Sequence, residues 1–184
     1  MQHIQIPTRS RSDFGLQQLK LVGVSVNGIP VFDRPKSHHH LDESLLRDAI
    51  GKCELNATFE KRSVQYPAPV GLTDCVETSS KDAIIFAQRE GRNGLTRFVL
   101  DRKPEPCSSI VIICKQAEEL REQGYILVTA FLGSESEPEP WDRRATPAAH
   151  RYWSDHALVW NSVPVLPATL TAICPWNTQT PAHG

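Results

Sequence analysis

Three arginines and one threonine form the densest group of phosphate-binding side-chain types in this chain. Arg89, Arg92 and Arg97 lie close together in the sequence, and Thr96 stands beside the last of them. An arginine side chain is a planar fork of donors that fits a phosphate with two hydrogen bonds. Two such forks and a hydroxyl around one phosphate would stabilise the charge that develops when a 2′-hydroxyl attacks it. The set therefore indicates binding and cleavage of RNA.

The same arginines have a simpler interpretation. Asp82, Glu90 and Asp101 lie in the same stretch, and the arginines could pair with these carboxylates on a solvated turn. Thr129 has two interpretations as well, because a threonine in a strand is often a β-former that makes a cross-strand contact. Both alternatives stay open at the level of sequence.

Cleavage by a 2′-hydroxyl also requires a group that moves a proton. The histidine run His38–His40 precedes a predicted helix, and an ordinary histidine titrates close to neutral pH. A solvated surface run is the alternative, and the sequence does not distinguish the three histidines from one another. This route needs no metal or cofactor, and we predict neither, because no CxxC or HExxH motif and no nucleotide-binding glycine motif occurs.

Composition sets further limits. The chain has 184 residues, 40% of them hydrophobic, with a net charge of −1, so it can bury a core but has no overall electrostatic signature of a nucleic-acid-binding protein. The charge is uneven, because six basic residues stand against three acidic ones between positions 81 and 103. Five cysteines without close pairing argue against a disulfide framework. With no signal peptide and no membrane-spanning run, we expect a soluble, cytoplasmic protein that does not enter membranes.

The first predicted elements are a hairpin and a helix. Residues 19–33 alternate around Asn27-Gly28, a pair typical of a type I′ turn, so we predict an N-terminal β-hairpin. Pro30 cannot donate to a ladder, which predicts that the second arm is an edge strand. Apolar residues at helical spacing from Leu41 to Cys53 predict a helix capped by Ser37 or Asp42.

The middle of the chain predicts a sheet. Residues 95–100, 108–115 and 125–131 are strands by composition, the last two joined as an antiparallel hairpin, whereas 83–87 fits either a strand or a helix. Alternation puts Arg97 and Thr96 on opposite faces of their strand. We therefore predict an α+β protein: a twisted antiparallel sheet with one or two helices packed on one face and the N-terminal hairpin.

The C-terminal third follows an acidic, proline-rich stretch at 134–142. Residues 148–160 are rich in aromatic residues and predict a helix over one sheet face. The four tryptophans are either core residues or a stacking platform; they are Trp141, Trp153, Trp160 and Trp176. We predict one domain over 1–184, with residues 1–18 poorly ordered, a catalytic core at 37–133 and a C-terminal wrap at 134–184.

Over about half the chain the pattern resembles a known superfamily. A helix with a histidine, an arginine-bearing sheet and a closing strand with Tyr125, Thr129, Ala130 and Phe131 is similar to the barnase–EndoU–colicin–RelE superfamily of metal-independent ribonuclease toxins. The segment 124–142, followed by HALVW and CPW, is also similar to a family of bacterial proteins without an assigned activity.

The superfamily resemblance implies roles for individual residues. It implies proton transfer by one of His38, His39 or His40, phosphate binding by Arg89, Arg92 or Arg97, and a polar active-site role for Thr129. From this set we predict His40, Arg97 and Thr129 as catalytic residues, and Arg89, Arg92 and Thr96 as substrate-binding residues. The implied function is a toxin-like, metal-independent endoribonuclease that acts on RNA. The acidic 134–142 loop could then face a cognate neutralising protein, and a solvated linker is the alternative explanation of its charges. The alternative is a non-catalytic module that binds nucleic acid or protein through the same arginines and tryptophans.

Overall fold

The computed structural model describes residues 19–34, 41–117 and 124–176. These form two compact units, each assembled from two separate stretches of chain. Unit 1 consists of Met1–Tyr66 and Ser109–Leu132, and unit 2 consists of Pro67–Ser108 and Gly133–Gly184. Residues 1–18 and the histidine run, including His40, lie outside the described residues. A single domain over 1–184 stays a prediction.

Unit 1 contains five strands and one helix among its described residues. They are β1 (Lys20–Val24), β2 (Pro30–Asp33), α1 (Glu43–Gly51), β3 (Phe59–Gln65), β9 (Ser109–Gln116) and β10 (Tyr125–Leu132). The strands form sheet 1 in the order β1-β2-β10-β9-β3. The predicted antiparallel pairing of the 108–115 and 125–131 strands is confirmed, with Ile112 opposite Ala130.

The position of β2 corrects the prediction drawn from Pro30. Strand β2 is an interior strand, antiparallel to β1 and parallel to β10. Pro30 is tolerated because it is the first residue of the strand, where a missing donor interrupts no ladder.

The turn between β1 and β2 is not of type I′. Gly28 has a φ of 80°, but Asn27 does not have a positive φ, which a type I′ turn requires at both central residues. Instead the Gly28 amide donates to the Ser25 carbonyl, and Ser25 and Ile29 pair beyond it. The side-chain amide of Asn27 donates to the Leu55 carbonyl at 2.8 Å, which holds Asn27 in place.

Helix α1 begins where the sequence predicts. The Asp42 carboxylate accepts from the Ser44 amide at 2.8 Å and caps the helix. It also accepts from the Ser44 hydroxyl and the Leu45 amide. The hydrogen bond from the Ser44 hydroxyl, followed by those from the two amides, lowers the pKa of Asp42. The helix buries Leu46, Ala49 and Ile50. It lies against β1 at Gly23, where a Cβ atom would come within 2.9 Å of Ile50.

Unit 2 contains the remaining strands and a second helix. They are β4 (Gly71–Thr73), β5 (Cys75–Glu77), β6 (Ile84–Arg89), β7 (Leu95–Val99), β8 (Glu105–Cys107), α2 (Pro147–Asp155), β11 (His156–Val159) and β12 (Val165–Thr171). Five of these strands form sheet 2 in the order β12-β6-β7-β11-β5, and β4 pairs with β8. Residues 84–87 of the stretch 83–87, which fitted either a helix or a strand, belong to β6.

Sheet 2 is buried on both faces. One face carries a core of Val76, Val99, Ala157 and Val159, and the other carries Ala87, Phe98, Trp153 and Leu158. The predicted alternation along the 95–100 strand is confirmed, because Val99 and Phe98 join different cores. The four tryptophans pack within unit 2: Trp153 lies in the core, Trp160 and Trp176 pack against core residues, and Trp141 packs on Gly94.

Two further predictions need correction. The predicted helix over 148–160 ends at Asp155, because from His156 onward the chain is extended and pairs with β5 and β7. The α+β class is confirmed, but the strands form two mixed five-stranded sheets instead of one antiparallel sheet. Within the described residues, no helix has the length and apolar character to cross a membrane.

The contact between β1 and α1 predicts the effect of a single methyl group. Gly23→Ala should lower the free energy of unfolding by about 1–3 kcal/mol, because overpacking a close contact costs that much. Gly51→Ala is the matched control; its Cβ would meet only the Val24 carbonyl, at 3.8 Å, and stability should stay equal or rise slightly. Urea unfolding of both variants tests this. Equal losses would contradict the packing described.

Candidate functional site

The predicted substrate-binding residues Arg89 and Thr96 meet in unit 2, around a carboxylate that the sequence did not indicate. The Arg89 Nε donates to the Thr96 hydroxyl at 3.1 Å, and Arg89 Nη2 donates to Glu139. The Thr96 hydroxyl donates to the other carboxylate oxygen of Glu139. All three side chains thus form one closed hydrogen-bonded network.

The burial of Thr96 and Glu139 indicates that this network stabilises the fold of unit 2. Thr96 is 0% exposed and Glu139 is 8% exposed, so the carboxylate is held away from water by its two partners. Glu139 occupies the position that a phosphate oxygen would take in the predicted site. The paired interpretation of Arg89 therefore holds, but its partner is Glu139 instead of Asp82, Glu90 or Asp101. Arg92 is exposed in the turn, and its amide donates to the Arg89 carbonyl.

Arg97 points to the other face of sheet 2 and has a different set of partners. Its Nη1 donates to the Thr78 hydroxyl at 2.7 Å and to the His156 carbonyl at 2.9 Å. Burial lowers the pKa of the Arg97 guanidinium. Thr78 in turn donates to the Asp155 carbonyl, so both side chains hold the C-terminal end of α2. A cation is favourable there because the helix dipole is negative at that end.

A cluster that sequence reasoning missed lies beside the Glu139 network. The Cys75 thiol and the Tyr152 hydroxyl are 3.5 Å apart, and the Tyr152 ring stacks on His156 with centroids 3.9 Å apart. Burial raises the pKa of Cys75 and of Tyr152. Because both groups are held in their neutral forms at neutral pH, neither is an activated nucleophile.

Thr129 belongs to unit 1, whereas Arg97 belongs to unit 2. Thr129 lies in β10 directly opposite Ile113, which in turn lies opposite Lys61 in β3. Neither unit therefore contains all of the predicted catalytic residues by itself within the described part of the chain. The two histidines of the described ranges, His150 and His156, are both in unit 2.

The strand register sorts the side chains of sheet 1 onto two faces. Gly23, which lies against α1, pairs with Val31, and Val31 pairs with Tyr125, so these residues mark the helix face. Directly opposed residues in a sheet project to the same side, and neighbours along a strand alternate. The other side, here called the far face, carries two adjoining rows: Leu21, Phe32, Ile126, Lys115 and Phe59, then Thr129, Ile113 and Lys61.

Charges are distributed unequally between these faces. Among the described strand residues of sheet 1, the helix face carries Lys20, Asp33, Glu60 and Arg62, whereas the far face carries Lys61 and Lys115. The far-face charges are thus both positive.

The far face is exposed at both outer edges: along β1 the exposed side chains are Leu21 and Val24, and along β3 they are mostly polar. The exposed side chains at the β3 edge, here called the β3 margin, are Phe59, Lys61, Ser63, Gln65 and Lys115. Phe59 is 59% exposed, which together with Leu72 is the highest value among the large apolar residues of the described strands. Toward the middle of the sheet the side chains of the same face are less exposed: Val111 and Ile126 are buried and Thr129 is half-buried.

One signal in the sequence could have indicated the β3 margin. Residues 59–65, FEKRSVQ, alternate with a period of two, and the observed burial follows that alternation. The exposed face of β3 could therefore be predicted from the sequence. That Lys115 lies opposite Phe59 depends on pairing over 56 positions, which no local pattern reveals.

The helix face of sheet 1 contains its own buried acid. The Glu60 carboxylate accepts from the amides of Asn56 and Ala57 and pairs with Arg62 at 2.8 Å. Burial alone would raise the pKa of Glu60, but these hydrogen bonds and the Arg62 charge lower it overall. This acid is satisfied within the unit and turned away from the β3 margin.

The described residues form no group of three or more His, Cys, Asp or Glu side chains that could hold a metal ion. All five cysteines are in the thiol form.

Comparisons with protein-family models, curated proteins and solved structures give no match for this chain. The resemblance to the ribonuclease toxins and the assigned roles of His40, Arg97 and Thr129 therefore stay predictions.

The Glu139 network predicts a loss of stability on removal of one charge. Glu139→Ala should lower the free energy of unfolding by about 2–3 kcal/mol, because it leaves a largely buried guanidinium without its anion. The estimate is below that for a fully buried pair, since the Arg89 side chain is 21% exposed. Glu105→Gln, at the exposed pair with Arg102, is the control and should change nothing measurable. Similar losses in both would refute the structural role.

Proposed function

We propose that this protein binds RNA on the β3 margin of sheet 1. The observation that carries the proposal is the sorting of charge: both charged strand residues on the far face, Lys61 and Lys115, are basic. Lysine ammonium groups neutralise phosphates and release their counterions, which supplies most of the affinity in sequence-independent binding.

Several charged residues of unit 1 pair with one another on the helix side of sheet 1. On the helix face Lys20 pairs with Glu43, Lys52 with Asp48, and Arg62 with Glu60. In each of these pairs a positive and a negative charge neutralise each other on the helix side of the unit. An overall charge of −1 is therefore compatible with a small basic surface elsewhere.

Uncharged side chains of the margin suit RNA. Ser63 and Gln65 lie on the same side of β3 as Lys61 and are exposed. A hydroxyl and a carboxamide can each donate to and accept from a ribose 2′-hydroxyl, the group by which proteins distinguish RNA from DNA. The proposal therefore includes a preference for RNA over DNA of the same sequence.

Endonucleolytic cleavage of the bound RNA is the second candidate function. What favours it is the half-buried Thr129, which lies on the same face as the margin, one strand away from Lys61 across Ile113. In this proposal Thr129 donates to a phosphate oxygen during attack by the 2′-hydroxyl. His40 would take the proton of the 2′-hydroxyl as the 2′-O–P bond forms, and would return it to the 5′-oxygen as the P–O5′ bond breaks; no metal would take part. A cognate neutralising protein belongs to this second candidate alone.

Binding by the margin predicts a specific salt dependence. For single-stranded RNA the slope of log affinity against log salt is about −0.7 for each phosphate neutralised, so Lys61→Ala with Lys115→Ala should reduce it by about 1.4. Fluorescence polarisation of a short labelled RNA, over a range of salt concentrations, measures this slope. A DNA of the same sequence should bind more weakly.

The matched control removes two lysines from the helix side of the same unit. Lys20→Ala with Lys52→Ala changes the net charge by the same amount and should leave the slope as it is in the unaltered protein. If both double variants reduce the slope equally, net charge alone governs binding and the margin is not the site. Undetectable binding by the unaltered protein would also refute the proposal.

Cleavage predicts a chelator-resistant activity. Thr129→Val, which removes the hydroxyl but keeps the branched shape, should slow RNA cleavage by about 100-fold, the usual cost of one donor to a developing oxyanion. His40→Gln should do the same. Gel analysis with excess EDTA, with the 2′,3′-cyclic phosphate ends identified, provides the readout. Thr171→Val in β12 is the control, and intact RNA with the unaltered protein would exclude cleavage.

A further inference from the structure

The exposed aromatic ring of the β3 margin is unexplained by packing. Burial of a phenylalanine side chain is favourable, yet Phe59 is 59% exposed. The other described phenylalanines are Phe32 and Phe131, both half-buried, and Phe86 and Phe98, both buried. Phe59 is thus the one exposed phenylalanine in the described part of the chain.

Both lysines of the far face are neighbours of this ring. Lys115 lies directly opposite Phe59 in the β3–β9 pair, where side chains are about 5 Å apart at Cβ. Lys61 is two residues further along β3 on the same side, about 6.7 Å away at Cα. The two lysines are diagonal neighbours across the strands, about 7–8 Å apart. That separation is comparable with the step between successive phosphates of an extended strand.

We infer that the β3 margin is a binding site for one unpaired nucleotide, with its base stacked on Phe59 and its two flanking phosphates on Lys115 and Lys61. This inference rests on the proposed RNA binding and names the ligand class. A ring between two cations suits a nucleotide, because every base has a π-face and every base is flanked by phosphates. Bases inside a duplex have no free face, so the site selects single strands.

The site also excludes two other occupants of an exposed apolar residue. A lipid surface or a hydrophobic protein groove would be matched by a continuous apolar patch, but the neighbours of Phe59 on the margin are lysine, serine and glutamine side chains. Leu21, 49% exposed, lies in the same row at the opposite edge of the sheet, with three strands between β1 and β3. It provides a matched apolar residue that the inferred nucleotide does not touch.

The experiment compares ring chemistry at position 59 in the full chain. A single-stranded RNA with 2-aminopurine at one position reports stacking by fluorescence quenching, and polarisation reports affinity. Phe59→Leu should weaken binding by about 5- to 100-fold and abolish the quenching, since base–aromatic stacking contributes about that factor. Phe59→Trp should restore both. Leu21→Ala should leave both unchanged.

The outcomes separate this inference from the proposed function. If Phe59→Leu binds as tightly as the unaltered protein while the lysine variants lose salt dependence, stacking is refuted and RNA binding stands. If the unaltered protein does not bind RNA, both fail. If a hairpin duplex binds as well as the single strand, or if Phe59→Leu changes the oligomeric state in light scattering instead of the RNA affinity, the margin is not a nucleotide site.

Discussion

Strand β9 is the constraint on which the proposed site depends. It lies between β10 and β3, and its residues pair on both sides along nearly its whole length. Buried backbone donors and acceptors are costly to leave unpaired, which favours pairing of β9 on both sides. A slip of one residue in this pairing would also turn its apolar residues, such as Ile112, to the wrong face of the sheet. This register sets Lys115 beside Phe59 and Ile113 between Lys61 and Thr129. The far face is therefore a consequence of burying β9.

The arginines of unit 2 show why residue type alone is a weak guide to a binding site. Arg89 and Thr96 are suited to hold a phosphate, and they do hold an anion, but that anion is Glu139, fifty positions along the chain. A guanidinium binds a carboxylate and a phosphate with the same geometry. Whether its partner comes from the protein or from a ligand depends on long-range packing. The acidic 134–142 stretch therefore contributes to the fold of unit 2.

The interleaving of the two units affects how the chain is compared with a compact superfamily. The stretch Ser37–Gly133, on which the resemblance to ribonuclease toxins was based, runs from unit 1 into unit 2 and back. Its predicted phosphate-binding residues lie in unit 2, whereas Thr129 and the β3 margin lie in unit 1. The β3 margin of unit 1 carries two lysines and an exposed ring, whereas the predicted arginines lie in unit 2.

The sequence by itself determined what depends on near neighbours. Runs of β-branched residues set the strands near 95–100, 108–115 and 125–131 to within a residue, and the helical spacing after Leu41 predicted α1, with Asp42 as one of two candidate caps. Tertiary structure alone decided that β2 is interior, that the helix after Pro147 stops at Asp155, and that Phe59 meets Lys115. The physical reason is that strand pairing and burial join groups far apart in the chain. Their free energy outweighs the local preference of any short segment.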